Sequence, residues 1–375
     1  MHIGIPAETR SGEKRVAATP ETVKKLTASG YHKILVQSGA GIAASIPDSE
    51  FAASGASIVG SDAEMYAQSE IVLKVRGPEA LELAMLRKDC VLIGLLAPQQ
   101  ASQIEAYAKH GLTAFAMELL PRISRAQSMD VLSSQANIGG YKAVILAADT
   151  YQRFFPMLMT AAGTVKAARA LVLGAGVAGL QAIATAKRLG CVVEAFDVRP
   201  AVKEQVASLG AKFVEVPLSE EEKKQAETAG GYAREMSEDY KKRQAELIHN
   251  RAIASDIVIT TALIPGRPAP VLVKEETVKA MKPGSVIVDM AVEAGGNCPL
   301  SELDKIVVKY GVNIIGIANL PALVAADASA LYARNLLNFL SLMLDAKTGA
   351  LNINREDEII NGSLVCMNGE VIKKS

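Results

Sequence analysis

The sequence predicts an α/β protein of two doubly wound parallel-sheet domains joined by long helices, with a cleft between them. Three observations carry this expectation. Short apolar, β-like runs alternate with helical patterns through residues 1–120, which indicates a parallel sheet with helices on its faces. A strand, a glycine-rich turn, a helix and a second strand ending in an acid follow in residues 170–200. Two long helical patterns, 135–155 and 326–344, stand where connectors between domains would run. Both domains are therefore expected to be Rossmann-like, the first spanning 1–134 and completed by 326–375, the second 135–325.

In chain order, residues 2–6, 33–37, 57–59, 71–75, 91–95 and 113–116 read as strands, and 20–29, 48–54, 80–87 and 99–109 as helices. This half has no clean G-x-G-x-x-G, because Gly39-Ala40-Gly41 runs on into Ile42-Ala43-Ala44. It is expected to be a Rossmann-like domain without a nucleotide. Residues 117–134, MELLPRISRAQSMDVLSS, then break the rhythm with a polar loop carrying Arg122, Arg125, Gln127 and Asp130 just before the long helix. Such a loop would open onto the cleft between domains, a favoured place for ligands. The plainer reading is a solvated polar loop.

The second domain holds the most informative stretch, ALVLGAGVAGLQAIATAKRLGCVVEAFDVRP. Gly174 allows a tight turn out of the strand, Gly176 lets backbone approach a pyrophosphate, and Gly179 lets the helix pack closely. The free N–H groups of the helix starting near Val177 face the phosphates, where the helix dipole favours negative charge. Asp197 ends the second strand, placed to accept from the adenosine ribose hydroxyls and to repel a 2′-phosphate, so NAD is expected over NADP. Arg199, two residues on, would soften that preference.

A helix at 201–209 and a strand at 212–215 lead into a charged insertion, 218–251, in which EEEKKQ and YKKRQAE flank Ala229-Gly230-Gly231-Tyr232. Charge runs of this kind form solvated helix faces, or the Gly-Gly-Tyr serves as a lid over a bound cofactor. Strand 257–261 precedes Ala262-Leu263-Ile264-Pro265-Gly266, strand 285–288 ends at Asp289, and 312–317 closes the sheet. The amphipathic helix 326–344 returns the chain to the first domain. Asn361-Gly362 and Asn368-Gly369 are turn signals, so residues 350–375 are expected to form β-hairpin structure.

A chain of 375 residues can bury two full cores. Its formal net charge of zero points to no nucleic-acid or lipid-charge partner. Four cysteines without a C-x-x-C read as reduced thiols of a cytosolic-type compartment. The chain begins directly with a strand, so no signal or transit peptide is expected. No apolar run reaches the ~20 residues of a spanning helix. There is no H-E-x-x-H, no Cys/His cluster and no G-x-S-x-G, so no metal site is expected. The four histidines, at strand starts or in polar helices, are expected to be exposed. A dinucleotide is thus left without an evident proton-transfer residue. Most NAD dehydrogenases need a base for the substrate proton, whereas direct hydride exchange between two nicotinamides needs none.

Over essentially its whole length the chain resembles the NAD(H)-binding component, domain I of the alpha subunit, of proton-translocating nicotinamide nucleotide transhydrogenase. The segments that carry the resemblance are MELLPRISRAQSMDVLSSQ, LVLGAGVAGLQAIATAKRLG, AETAGGYA, TTALIPGRPAPVLV and VIVDMAVEAGGNCPL. It implies a soluble homodimer that binds NAD(H) and exchanges hydride with NADP(H) on a partner beta subunit. Membrane-spanning subunits would move the protons, with this chain cytoplasmic and peripheral on the inner face of the cell membrane. The chain looks like the split-gene form.

The resemblance also assigns residues. Arg122, Gln127 and Asp130 match the loop that positions the nicotinamide and its ribose, with Ile123, Ser124 and Arg125 in the same loop and Ser133 just behind. Val177 and Ala178 lie against the nucleotide, and Asp197, Val198 and Arg199 surround the adenosine ribose. Gly231 and Tyr232 match the tip of a mobile loop that closes over NAD(H), and Gln244 follows it. Thr261, Ala262 and Leu263 lie beside the cofactor. The second resemblance is to alanine dehydrogenase, in which Arg15 and Lys74 match amino-acid-binding positions. Its catalytic histidine is absent here, with Leu95 near that place, and its aspartate is replaced by Glu293. A nucleotide-sensing regulator without chemistry is a third reading.

Overall fold

The structure, a computed structural model, describes residues 1–216, 237–264 and 267–372. It divides into two units, Met1–Gln135 with Pro321–Ser375, and Ala136–Leu320. The strands in chain order begin with β1 (His2–Ile5), β2 (Lys33–Gln37), β3 (Ser57–Val59), β4 (Ile71–Arg76), β5 (Val91–Leu95) and β6 (Thr113–Ala116). They continue with β7 (Leu158–Thr160), β8 (Gly163–Val165), β9 (Arg169–Leu173), β10 (Val192–Phe196), β11 (Lys212–Phe213) and β12 (Ile257–Thr260). The last are β13 (Val286–Asp289), β14 (Ile306–Lys309), β15 (Val312–Ile315), β16 (Leu364–Met367) and β17 (Glu370–Val371).

In the first unit β1 to β6 pair in parallel in the order 3-2-1-4-5-6, the doubly wound arrangement. Their near-continuous apolar sequences, such as VLIGL in β5, suit strands covered on both faces. One face packs Ile3, Ile5 and Phe115 against Tyr332, Leu336 and Phe339 of helix Ala325–Leu340, with the Phe115 and Phe339 rings edge to face at 5.5 Å. The other packs Leu35, Val72 and Leu92 against Met65 and Tyr107. Met65 belongs to helix Asp62–Gln68, which the sequence did not announce.

The C-terminal tail splits the expectation. Asn368 (φ 53°) and Gly369 (φ 80°) make the tight turn between the antiparallel strands β16 and β17. Asn361-Gly362, read as a second turn, lies instead inside helix Glu358–Ser363, whose start is capped by Asp357 accepting from the Ile359 N–H at 2.8 Å. An acid cap at the right offset outweighed the turn dipeptide.

The second unit repeats the plan. Its sheet runs β11-β10-β9-β12-β13-β15-β14, parallel throughout except for the β14–β15 pair. Counted within the unit, the parallel strands again stand 3-2-1-4-5-6, so the order reverses between β9 and β12. Ligands of such sheets bind beyond the carboxyl ends of the strands at this switch point. The division between the units falls within helix Val131–Thr150. This helix starts four residues earlier than read, because Asp130 caps it, and it ends before the small hairpin β7–β8, which pairs with neither sheet.

Candidate functional site

Strand β9 ends at Leu173, and the chain turns through Gly174 at φ 100°. A Cβ at Gly174 would stand 2.5 Å from Thr261 Oγ1. Gly179 is one turn into helix Val177–Arg188, and a Cβ there would overlap the Gly174 carbonyl oxygen. Gly176, the residue before the helix, differs: a Cβ there would meet only Arg199 Nη2 at 3.9 Å. Two of the glycines thus serve packing and the third leaves open space beside the first N–H groups of the helix. That is the geometry a pyrophosphate needs. Val177 is exposed and Ala178 half-buried at this opening. Gly140, which the sequence did not single out, lets helix Val131–Thr150 press against the Ala178 carbonyl.

Asp197, just past β10, has a carboxylate that already gathers four donors. Oδ2 accepts from the Ala175 N–H at 2.7 Å, and Oδ1 from the Arg199 N–H at 2.8 Å. The Arg199 guanidinium clamps both oxygens, at 2.9 Å each. Burial opposes ionisation, but the Arg199 and Ala175 hydrogen bonds outweigh it and hold the carboxyl below the usual range. The Ala175 bond ties the acid to the glycine turn. Arg199 is not a bystander two residues on, as sequence spacing alone implied; it is the counter-ion of Asp197. Val198 is exposed between them.

Across the switch point, β12 ends at Thr260 and continues into Thr261, Ala262 and Leu263. The Thr261 N–H donates to the Leu173 carbonyl at 2.8 Å, and its hydroxyl donates to the Gly174 carbonyl at 3.1 Å, joining this segment to the glycine turn. Leu263 is exposed. Beneath lies a polar hub that sequence reasoning missed. The buried Asp289 carboxylate accepts from Thr260, Ser301 and the backbone of Ala291, Asn297 and Cys298. The Asn297 side chain bonds to Ala262 and Pro270. The only signal in the sequence was an acid at a strand end followed by Gly295-Gly296-Asn297.

The polar loop lies in the first unit. Ser124–Met129 forms a 3-10 turn anchored by buried Ala126 and Met129, while Asn335 and Asn338 donate to the Ser128 carbonyl at 2.8 and 3.0 Å. Arg122, Ser124 and Gln127 are exposed and Ile123 is half-buried. Arg125 is committed to a two-pronged ion pair with Asp357 at 2.6 and 2.8 Å. Asp130 accepts from the N–H and hydroxyl of Ser133 at 2.9 and 2.6 Å, so this pair closes the start of the helix. The loop is a held platform from which Arg122 and Gln127 project.

The first unit's own switch point, at the ends of β1 and β4, is filled with ionic side chains. Lys74 reaches Glu82 at 2.6 Å and Glu8 at 3.6 Å, and Tyr66 donates to Glu82 at 2.7 Å. Burial pushes the Glu8 carboxyl up despite Lys74. Arg15 is held by both oxygens of Glu13, at 2.7 and 2.6 Å, and by Gln135 at 2.8 Å. Leu95 is half-buried and Glu293 exposed. None of the four histidines is exposed, against expectation: each is half-buried, three of them bonded through a ring nitrogen to a carbonyl or hydroxyl. Gln244 lines a groove of about 580 Å³ with Lys241, His249, Pro270 and Leu272. Gly231 and Tyr232 lie outside the described residues. Among the described residues no cluster suits a metal ion, and no helix is long and apolar enough to cross a membrane. The four cysteines are free and buried, and burial pushes the thiols of Cys90 and Cys191 up to about 12.

Comparison with known proteins agrees with this geometry. Residues 4–139 match the family described as "Alanine dehydrogenase/PNT, N-terminal domain", and residues 143–374 its C-terminal domain. The chain is 55% identical over 378 residues to an NAD(P) transhydrogenase alpha subunit of Rhodospirillum rubrum, covering 99% of this chain and 98% of that one. The solved structure of a transhydrogenase from Sinorhizobium meliloti superposes with a TM-score of 0.89 at 49% identity, covering 99% of this chain and 100% of that one. An L-alanine dehydrogenase structure superposes with a TM-score of 0.81 at 26% identity, covering 99% and 96%.

Proposed function

The chain belongs to the alanine dehydrogenase/PNT family and, within it, to the NAD(P) transhydrogenase alpha subunits, and from that premise we propose that it binds NAD(H) and exchanges hydride with NADP(H) held on a partner beta subunit. The observation that carries the reading is the switch point of the second unit, where Gly176 leaves room beside a helix N-terminus and Asp197 closes the neighbouring strand. The dinucleotide supplies the redox chemistry. The residues of this chain bind, orient and exclude water.

In this proposal the amides after Gly176 hold the pyrophosphate, with Val177 and Ala178 against it. Asp197, Val198 and Arg199 meet the adenosine ribose, Thr261 to Leu263 flank the ligand, and Gly231, Tyr232 and Gln244 close over it. Arg122, Gln127 and Asp130, with Ser133 behind, position the nicotinamide end. Hydride transfer requires the reacting carbons at about 3–3.5 Å, and positioning supplies most of the rate. A neutral amide at Gln127 donates and accepts without adding charge beside a nicotinamide cation. The proposal extends to a homodimer, to proton movement through membrane-spanning partner subunits, and to a cytoplasmic place on the inner face of the membrane. Exposed Phe154, Met157 and Met159 beside the β7–β8 hairpin are apolar surface that self-association would cover.

The test is reconstitution with an NADP-binding partner. The unmutated chain is expected to pass hydride from NADH to the partner's NADP analogue. Gln127→Ala should keep NADH affinity within a few-fold while slowing transfer about 100-fold or more, the mark of an interaction made mainly at the transition state. Stopped-flow transfer at the normal rate in the variant would leave the loop as a polar edge only.

A further inference from the structure

A chain leaving a sheet beside a ligand must find partners for backbone groups that the ladder no longer serves. At the end of β12 one side chain provides them. Asn297 Oδ1 accepts from the Ala262 N–H at 3.1 Å, and Asn297 Nδ2 donates to the Ala262 carbonyl at 2.9 Å. The other amide proton goes to the Pro270 carbonyl at 2.8 Å. A single carboxamide therefore holds both ends of the excursion that carries Leu263.

The holder is itself held. Asn297 is fully buried, its N–H donates to Asp289 Oδ1 at 3.1 Å, and its carbonyl accepts from Leu272 and Val273 at 2.9 and 3.0 Å. Gly296 approaches Asp289 so closely, at φ 82°, that a Cβ would stand 2.7 Å from Oδ2. No other side chain of similar size fits the three partners. An aspartate would set a carboxylate against two carbonyl oxygens, and a leucine would leave one N–H and two carbonyls unpaired in a buried place.

We infer that Asn297 is a positioning residue for the half of the dinucleotide across the switch point from Asp197. It acts by fixing the backbone of residues 261–263 rather than by touching the ligand. The inference rests on the proposed NAD(H) site. In a doubly wound sheet the two mononucleotide halves lie on opposite sides of the switch point, so a ligand confined to the Asp197 side does not depend on this hold.

The experiment compares NADH with 5′-AMP on the unmutated chain, Asn297→Leu and Asn297→Asp, with thermal melting to confirm folding. Asn297→Leu is expected to weaken NADH about tenfold or more, from unmade buried hydrogen bonds, and to change AMP by less than about twofold. Asn297→Asp should weaken NADH at neutral pH and recover as pH falls, because a protonated carboxyl both accepts from and donates to Ala262 while a desolvated one protonates readily. The leucine variant should not recover at any pH. If Asn297→Leu fails to fold, Asn297→Ser, which keeps one hydroxyl for an Ala262 group, supplies the same comparison. Equal losses of NADH and AMP, or unchanged NADH affinity in a folded variant, would overturn the inference. Failure of the unmutated chain to bind NADH would instead overturn the dinucleotide reading on which it rests.

Discussion

Asp197 illustrates what a single residue discloses in the sequence and what it withholds. An acid at the end of the second strand of a glycine-rich βαβ unit is legible because its place along the chain is its place in the site. Its electrostatic state is not legible, because it depends on where a flexible arginine folds. The structure sets Arg199 on both Asp197 oxygens, which changes what the acid's removal should do. Asp197→Ala deletes the carboxylate that repels a 2′-phosphate and at the same time frees a guanidinium beside it. NADPH affinity should therefore rise while NADH affinity falls, closing or reversing the preference. Arg199→Ala should leave the preference for NADH intact. Fluorescence titration of both nucleotides decides the matter, and a preference unchanged in Asp197→Ala would remove Asp197 from nucleotide choice. Asn297 marks the other limit: its partner Ala262 is 35 residues away, and no local pattern announces such a bond.

At the scale of elements, the sequence was most legible where one physical pattern dominated. Strands β2, β3, β5 and β6 carry uninterrupted apolar runs and fall at the expected residues. Helix Asp62–Gln68 escaped because its charged, short sequence has two buried hydrophobics, Met65 and Tyr66, too few to show a period. The three glycines after β9 were legible as a group, but their separate jobs come from the neighbours that a Cβ would meet. Those neighbours give opposite predictions for two glycines. Gly140→Ala pushes a methyl into the Ala178 carbonyl, so helices Val131–Thr150 and Val177–Arg188 must separate, at about 1–3 kcal/mol of overpacking. Its melting temperature should fall. Gly176→Ala meets almost nothing in the protein, and its melting temperature should hold while NADH binding weakens, because the methyl takes the space a pyrophosphate would use. A Gly176→Ala chain that binds NADH normally would place the phosphates elsewhere.

The whole molecule repeats one strand order in two sheets, yet only the second has a glycine turn at its switch point. After β9 comes that turn and a helix N-terminus; after β1 comes Pro6, then Glu8, whose carboxylate accepts from the Val75 and Arg76 N–H groups at 2.7 and 3.2 Å. A sequence reader sees the missing glycines there but not the ionic packing that takes their place. The same packing bears on whether the chain shares the amino-acid chemistry of the dehydrogenases that it resembles. Arg15 and Lys74, which match amino-acid-binding positions of that family, are each bonded at short range to a carboxylate of this chain, Glu13 and Glu82. A substrate carboxylate would have to compete with those acids in a buried place, where a displaced charge is costly. Leu95 offers no proton acceptor where the dehydrogenase has its histidine, and Glu293 is exposed rather than enclosed in a buried site. Incubated with alanine and NAD, the chain should form no pyruvate above background at any pH from neutral to alkaline, and Arg15→Lys should not alter hydride exchange with an NADP-binding partner by more than about twofold if its role is structural. Pyruvate accumulating in step with NADH would return the chain to the dehydrogenase branch and make the first unit's ionic cluster a substrate site.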